Sequence, residues 1–110
     1  MALVLARGAS DTRIVVGHLG KPDIAGGGFD EWLDGFARLG GLGNVWCKLS
    51  GLVTEADLRR WTVDDLRPYL DIALEAFGVD RILWGSDWPV VTAAATHRRW
   101  RAASGDLLAP

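Results

Sequence analysis

"RIVVGHLGKP", residues 13–22, decides how the rest of the chain is read. A β-branched apolar run ends on His18, and a glycine, a lysine and a proline then stop it. "RILWGSDWP", residues 81–89, repeats the arrangement with a carboxylate: an apolar run, then Asp87, then Pro89. Between them lies a third run, "NVWCKLS", residues 44–50. All three are runs rather than clean alternations, the pattern of parallel strands covered on both faces.

Helical patterns separate the runs. "FDEWLDGFARLG" (29–40) sets Phe29, Trp32, Leu33, Phe36 and Leu39 on one stripe, and Gly40 and Gly41 provide a stop. The next helix begins at Thr62, a good N-cap, with Asp64 and Asp65 at the positive end of its dipole and Trp61 placed to staple onto Leu66. Its buried stripe is Leu66, Tyr69, Leu70, Ala73 and Phe77, ended by Gly78. Pro68 falls late for a first-turn proline and predicts a kinked or irregular entry. "TEADLRR" (54–60) reads as a short helical turn in a long loop, and a last helix is expected at about 93–103 with Trp100 on its inner face. "MALVLARGAS" has too short an apolar patch, and no preceding basic region, for a signal peptide. It reads as the end of a helix leading into the first strand.

The order is strand–helix three times over, with strands starting roughly 30 to 40 residues apart, the period of βα units. Two parallel architectures use that unit: the (β/α)₈ barrel of about 250 residues and the open doubly wound sheet. A chain of 110 residues completes neither, and sequence upstream of residue 1 is expected to be missing. Six tryptophans imply broad apolar surfaces, some needing a cover from outside this chain.

Composition narrows the function classes. A net charge of −2 and no Lys/Arg cluster beyond "HRRWR" (97–101) argue against nucleic-acid binding. No apolar stretch approaches the roughly 20 residues that span a bilayer, so no membrane role is expected. One cysteine, Cys47, excludes an internal disulfide and suits a cytoplasmic setting.

The candidate chemistry gathers at strand ends. Alternation puts His18 on the face of Val16 and Ile14, Asp87 on that of Gly85 and Leu83, and Lys48 with Trp46 and Ser50. A lysine facing packed helices would be costly to bury, so Lys48 is assigned to the open mouth. An imidazole, an ammonium and a carboxylate then stand at the carboxyl ends of three successive strands, where parallel α/β folds keep their active sites. His18 suits a metal or a substrate oxygen, Asp87 suits proton abstraction from water, and Lys48 suits an anionic group or a developing oxyanion. Trp88 is a candidate pocket wall.

Plainer readings stand beside these: His18 as a satisfied structural residue, Asp87 as an Asx-type cap on the "WPVV" turn, and Lys48 turned out to solvent. His97 is read as surface and Cys47 as a small buried hydrophobe. "GHLGKP" lacks the phosphate-loop spacing, "WGSDW" lacks the second glycine of a nucleophile elbow, and no histidine pair has metal-ligand spacing.

"HLGKPDI" (18–24), "NVWCKLSGLVTEA" (44–56) and "FGVDRILWGSDWPV" (77–90), in that order, resemble the amidohydrolase-related family. The likeness is to its lactonase-like branch, which includes sugar-lactone hydrolases and pyrone dicarboxylate lactonase, and it runs over residues 13–90. It implies a (β/α)₈ TIM barrel, with the three runs as strands six, seven and eight. Residues 1–110 would be its carboxyl-terminal part, about three βα units, without the amino-terminal half. It implies Asp87 as the base that activates the hydrolytic water and His18 as the contact to the substrate carbonyl. Lys48, Ser50 and Trp88 are expected on the substrate, a lactone or similar cyclic ester or amide. In metal-bearing members His18 and Asp87 would help hold a divalent metal such as zinc. Two departures stand out: Gly17 replaces a frequent aspartate, and the family's H-x-H pair is absent. A rival reading from another class is a non-catalytic unit that self-associates through its exposed sheet edge.

Overall fold

The computed structural model describes residues 2–109, and the helix expected ahead of the first strand is present at Ala2–Gly8. The elements are α1 (Ala2–Gly8), β1 (Ile14–Val16), α2 (Phe29–Gly40), β2 (Val45–Leu49), α3 (Leu52–Glu55), α4 (Val63–Phe77), β3 (Ile82–Trp84) and α5 (His97–Leu108). Short 3₁₀ turns occupy Gly17–Gly20, Val79–Arg81 and Val90–Ala93. The three strands form one parallel sheet in the order β1-β2-β3. Ile14 pairs with Val45, and Cys47 with Ile82.

The alternation of β2 shows which face carries the core. Val45, Cys47 and Leu49 are fully buried, while Trp46 and Lys48 between them are half-buried. The buried set packs with Leu66, Leu70, Ala73 and Phe77 of α4 and Phe36 and Leu39 of α2. On the opposite face Val15 is 51% exposed and Leu83 47%, so no helix layer covers that side. The strands are therefore covered on one face only among the described residues, although their apolar runs imply two.

Local rules account for the helices. Thr62 and Asp65 form a capping box: the Thr62 hydroxyl accepts from the Asp65 N–H at 3.3 Å, and the Asp65 carboxylate accepts from the Thr62 N–H at 2.9 Å. The predicted stripe from Leu66 to Phe77 is the buried one. The helix runs on through Pro68 rather than starting irregularly. A Cβ on Gly40 would lie 2.6 Å from that of Ala76, so glycine is what lets α2 and α4 approach here. The last helix starts at His97 because Thr96 caps it, and the preceding residues form a 3₁₀ turn instead. Trp100 is fully buried and donates to the Gly85 carbonyl at 2.9 Å.

Arg81 is a tie that sequence reading passed over. Its guanidinium donates to the carbonyls of Gly40, Leu42, Val45 and Phe77 at 2.7, 2.8, 2.9 and 3.0 Å. One cation thus satisfies orphan carbonyls at the ends of α2 and α4 and fastens both to the start of β2.

Candidate active site

Both outer strands end in backbone that only special residues adopt readily. After β1, His18 and Leu19 have φ of 52°, and Lys21 follows at 52°. After β3, Asp87 has φ of 58°. Left-handed conformations at non-glycine residues cost about 1–3 kcal/mol each and cluster where function needs a side chain re-aimed. The re-aiming is visible at His18. Ile14 and Val16 pack against the core, so simple alternation would send His18 toward the helices with them. The expected parity fails because the strand stops at Val16, and the left-handed turn swings the imidazole back. Leu19 takes the buried position instead, with none of its surface exposed.

The imidazole lands between two partners. His18 Nδ1 lies 2.8 Å from Ser50 Oγ, and Nε2 lies 3.6 Å from Asp87 Oδ1. The Asp87 side chain is 14% exposed and that of His18 31%. Among the described residues the Asp87 carboxylate accepts no hydrogen bond, since the contact to Nε2 is too long for one. Gly51, at φ of 70°, closes the third side: a Cβ there would sit 2.6 Å from His18 Nδ1 and 3.2 Å from Asp87 Oδ2. Glycine is required by backbone and space together, and its position just past a strand end was the available signal.

The remaining expected residues are placed as follows. Lys48 lies on the uncovered face across Gly85, whose lack of a Cβ makes room for Lys48 Cε. Its ammonium forms no salt bridge among the described residues. Ser50 was expected on the substrate but is fully buried with its hydroxyl on His18. Trp88 is 67% exposed beside Asp87, after which the chain passes a cis bond into Pro89. Cys47 belongs to the other face, where burial pushes its thiol up to about 12 against the opposing pull of Arg81. It is a packed hydrophobe and no nucleophile at neutral pH.

Among the described residues no three His, Cys, Asp or Glu side chains gather as a metal group. His18 and Asp87 are nonetheless ligand types that zinc accepts, and they converge from two strand ends. They supply two ligands where a catalytic zinc takes three from protein, so the pair fits part of a zinc site.

A family model described as "Amidohydrolase" matches residues 4–107. The chain belongs to the amidohydrolase family. It is 46% identical over 93 residues to L-fucono-1,5-lactonase of Burkholderia multivorans, a match covering 76% of this chain and 31% of that protein. The L-fucono-1,5-lactonase of Burkholderia ambifaria is 44% identical over 92 residues, covering 80% and 30%. In structure, the chain is similar to an amidohydrolase from B. multivorans with bound zinc. The TM-score is 0.91 at 33% identity, over 96% of this chain and 39% of that one. The chain thus spans about a third of the length of the curated relatives it matches. Its three parallel βα units are part of an amidohydrolase barrel. No helix among the described residues is long and apolar enough to cross a membrane.

Proposed function

We propose that residues 1–110 carry the carboxyl-terminal share of a lactone hydrolase active site, with Asp87 as general base. The observation that carries this reading is a nearly buried carboxylate that accepts no hydrogen bond and faces an imidazole from another strand. A carboxylate so placed is ready to accept a proton from water attacking a carbonyl, then to return it to the leaving alkoxide as the ring opens. His18 Nε2 borders the same space and orients the carbonyl oxygen. Lys48, on the same side of the sheet, steadies negative charge developing there. Trp88 forms an apolar wall at the rim. The relatives named as lactonases make a cyclic ester the natural substrate class.

Where zinc binds, His18 and Asp87 are the residues of this chain that would hold it, beside ligands from elsewhere in the barrel. The metal would supply Lewis acidity to water or carbonyl. The exposed Val15 and Leu83 face the space that the remaining strands of a barrel would fill.

The test is a chimera. The part of the B. multivorans L-fucono-1,5-lactonase that precedes its match is joined to this chain and assayed for lactone hydrolysis. The folded chimera should hydrolyse L-fucono-1,5-lactone, and Asp87→Asn should lower kcat/KM by about 10²- to 10⁴-fold. Equal rates with and without the substitution would remove Asp87 from the mechanism, and a folded but inert chimera would contradict the lactone-hydrolase reading.

A further inference from the structure

We infer that Ser50 is a positioning residue that holds His18 as the tautomer protonated on Nε2, with that N–H directed toward Asp87. The inference rests on the reading of His18 and Asp87 as one site, and it follows from counting donors and acceptors. Ser50 is fully buried, and its hydroxyl has one side-chain partner, His18 Nδ1 at 2.8 Å. A neutral imidazole has one N–H and one lone pair, and a hydroxyl both donates and accepts. If Nδ1–H donated to Ser50 Oγ, the serine proton would be left buried with no acceptor among the described residues. An unsatisfied buried donor costs about 1–3 kcal/mol. If the serine O–H donates to Nδ1, that proton is satisfied and the ring proton moves to Nε2. There it faces the Asp87 carboxylate, 3.6 Å away, which has no other donor among the described residues.

Both counts favour the same tautomer. The second partner matters because Asp87 cannot donate when ionised, so a bare Nε2 would leave two acceptors facing each other. Gly51 is what lets the ring sit here, since a Cβ on it would fall 2.6 Å from His18 Nδ1. Ser50 and His18 thus divide the work. The serine spends its one proton on Nδ1, and the histidine presents an N–H at the mouth of the sheet.

The consequence is a switch in role. With Nε2 protonated, His18 is a hydrogen-bond donor suited to a substrate carbonyl oxygen. Ligating zinc through Nε2 would require the opposite tautomer and a turn of the Ser50 hydroxyl from donor to acceptor. That second state would leave the serine proton without an acceptor among the described residues, whereas alanine would offer Nδ1 no partner in either state.

The chain has two histidines, His18 and an exposed His97, so ¹⁵N spectra of the labelled 110-residue chain carry their own reference. With the rings neutral and zinc absent, His18 should show a single Nε2–H tautomer with a hydrogen-bonded Nδ1, while His97 shows a solvent-averaged mixture. Ser50→Ala should move His18 toward the His97 pattern. Ser50→Thr, which keeps the hydroxyl, should retain the wild-type spectrum. A wild-type His18 protonated on Nδ1, a His18 indistinguishable from His97, or an unchanged spectrum in Ser50→Ala would each overturn the inference. The hydrolysis assay of the chimera reads a different quantity. A correct tautomer with Asp87→Asn fully active would refute the proposed function alone, and the reverse pattern would refute the tautomer alone.

Discussion

The two faces of β2 differ in what they pack against. Val45, Cys47 and Leu49 point into the helix layer and are fully buried; Trp46 and Lys48 point away and stay half-exposed. The two cations nearby differ in the same way. Arg81 has its guanidinium saturated by four close carbonyls, while Lys48 forms no salt bridge among the described residues. One face and its cation are spent on holding the fold. The other face keeps groups whose bonding is unfinished, which is what binding or catalysis requires.

The largest stability effect should come from removing the saturated cation. Arg81→Met strips donors from several helix-end carbonyls at once, and charge-assisted hydrogen bonds contribute about 1.5–3 kcal/mol each. Urea unfolding of the 110-residue chain should show a loss above about 3 kcal/mol; a loss below about 1 kcal/mol would mean water satisfies those carbonyls equally well.

Next come the two faces themselves. Leu49→Ala leaves a cavity in the helix layer and should cost about 2–5 kcal/mol. Val15→Ala, on the bare face and 51% exposed, should change the stability of the chain by less than about 0.5 kcal/mol. Comparable losses would show that the bare face is covered in solution, as self-association through it would do.

The buried face also predicts a pH dependence, confined to alkaline solution. The folded Cys47 thiol sits near 12 and its ordinary value is 9.0. Between those values the unfolded chain gives up a proton that the folded chain keeps, so stability is intact below about 9 and falls as pH rises toward 12. Urea midpoints on either side of 9 should show that fall in wild type and a shallower one in Cys47→Val; identical slopes would exclude the thiol.

Much of this division was legible in the sequence. The stripe of α4 and the cap at Thr62 follow from spacing alone, because helix periodicity and capping are local. The three strand runs and their parallel order followed from period and composition. His18 and Asp87 were found as polar residues closing apolar runs, yet the direction of His18 was misjudged. Alternation carries no information past the point where a strand ends, and here β1 ends two residues early in a left-handed turn. Ser50 was assigned to substrate because sequence does not show that a neighbouring strand's histidine covers it. Arg81 was invisible for a related reason: its acceptors lie on segments some 36 to 41 residues away and at the end of its own preceding helix. Such ties depend on tertiary closure, which no local pattern encodes.

The division of labour between the faces is tested most directly by measuring Tm and kcat/KM together in the lactonase chimera, for Asp87→Asn and Leu49→Ala. The account predicts a crossed pattern: Asp87→Asn keeps its Tm and loses turnover, while Leu49→Ala loses Tm and keeps turnover per folded molecule. Both variants moving the two quantities in parallel would contradict it.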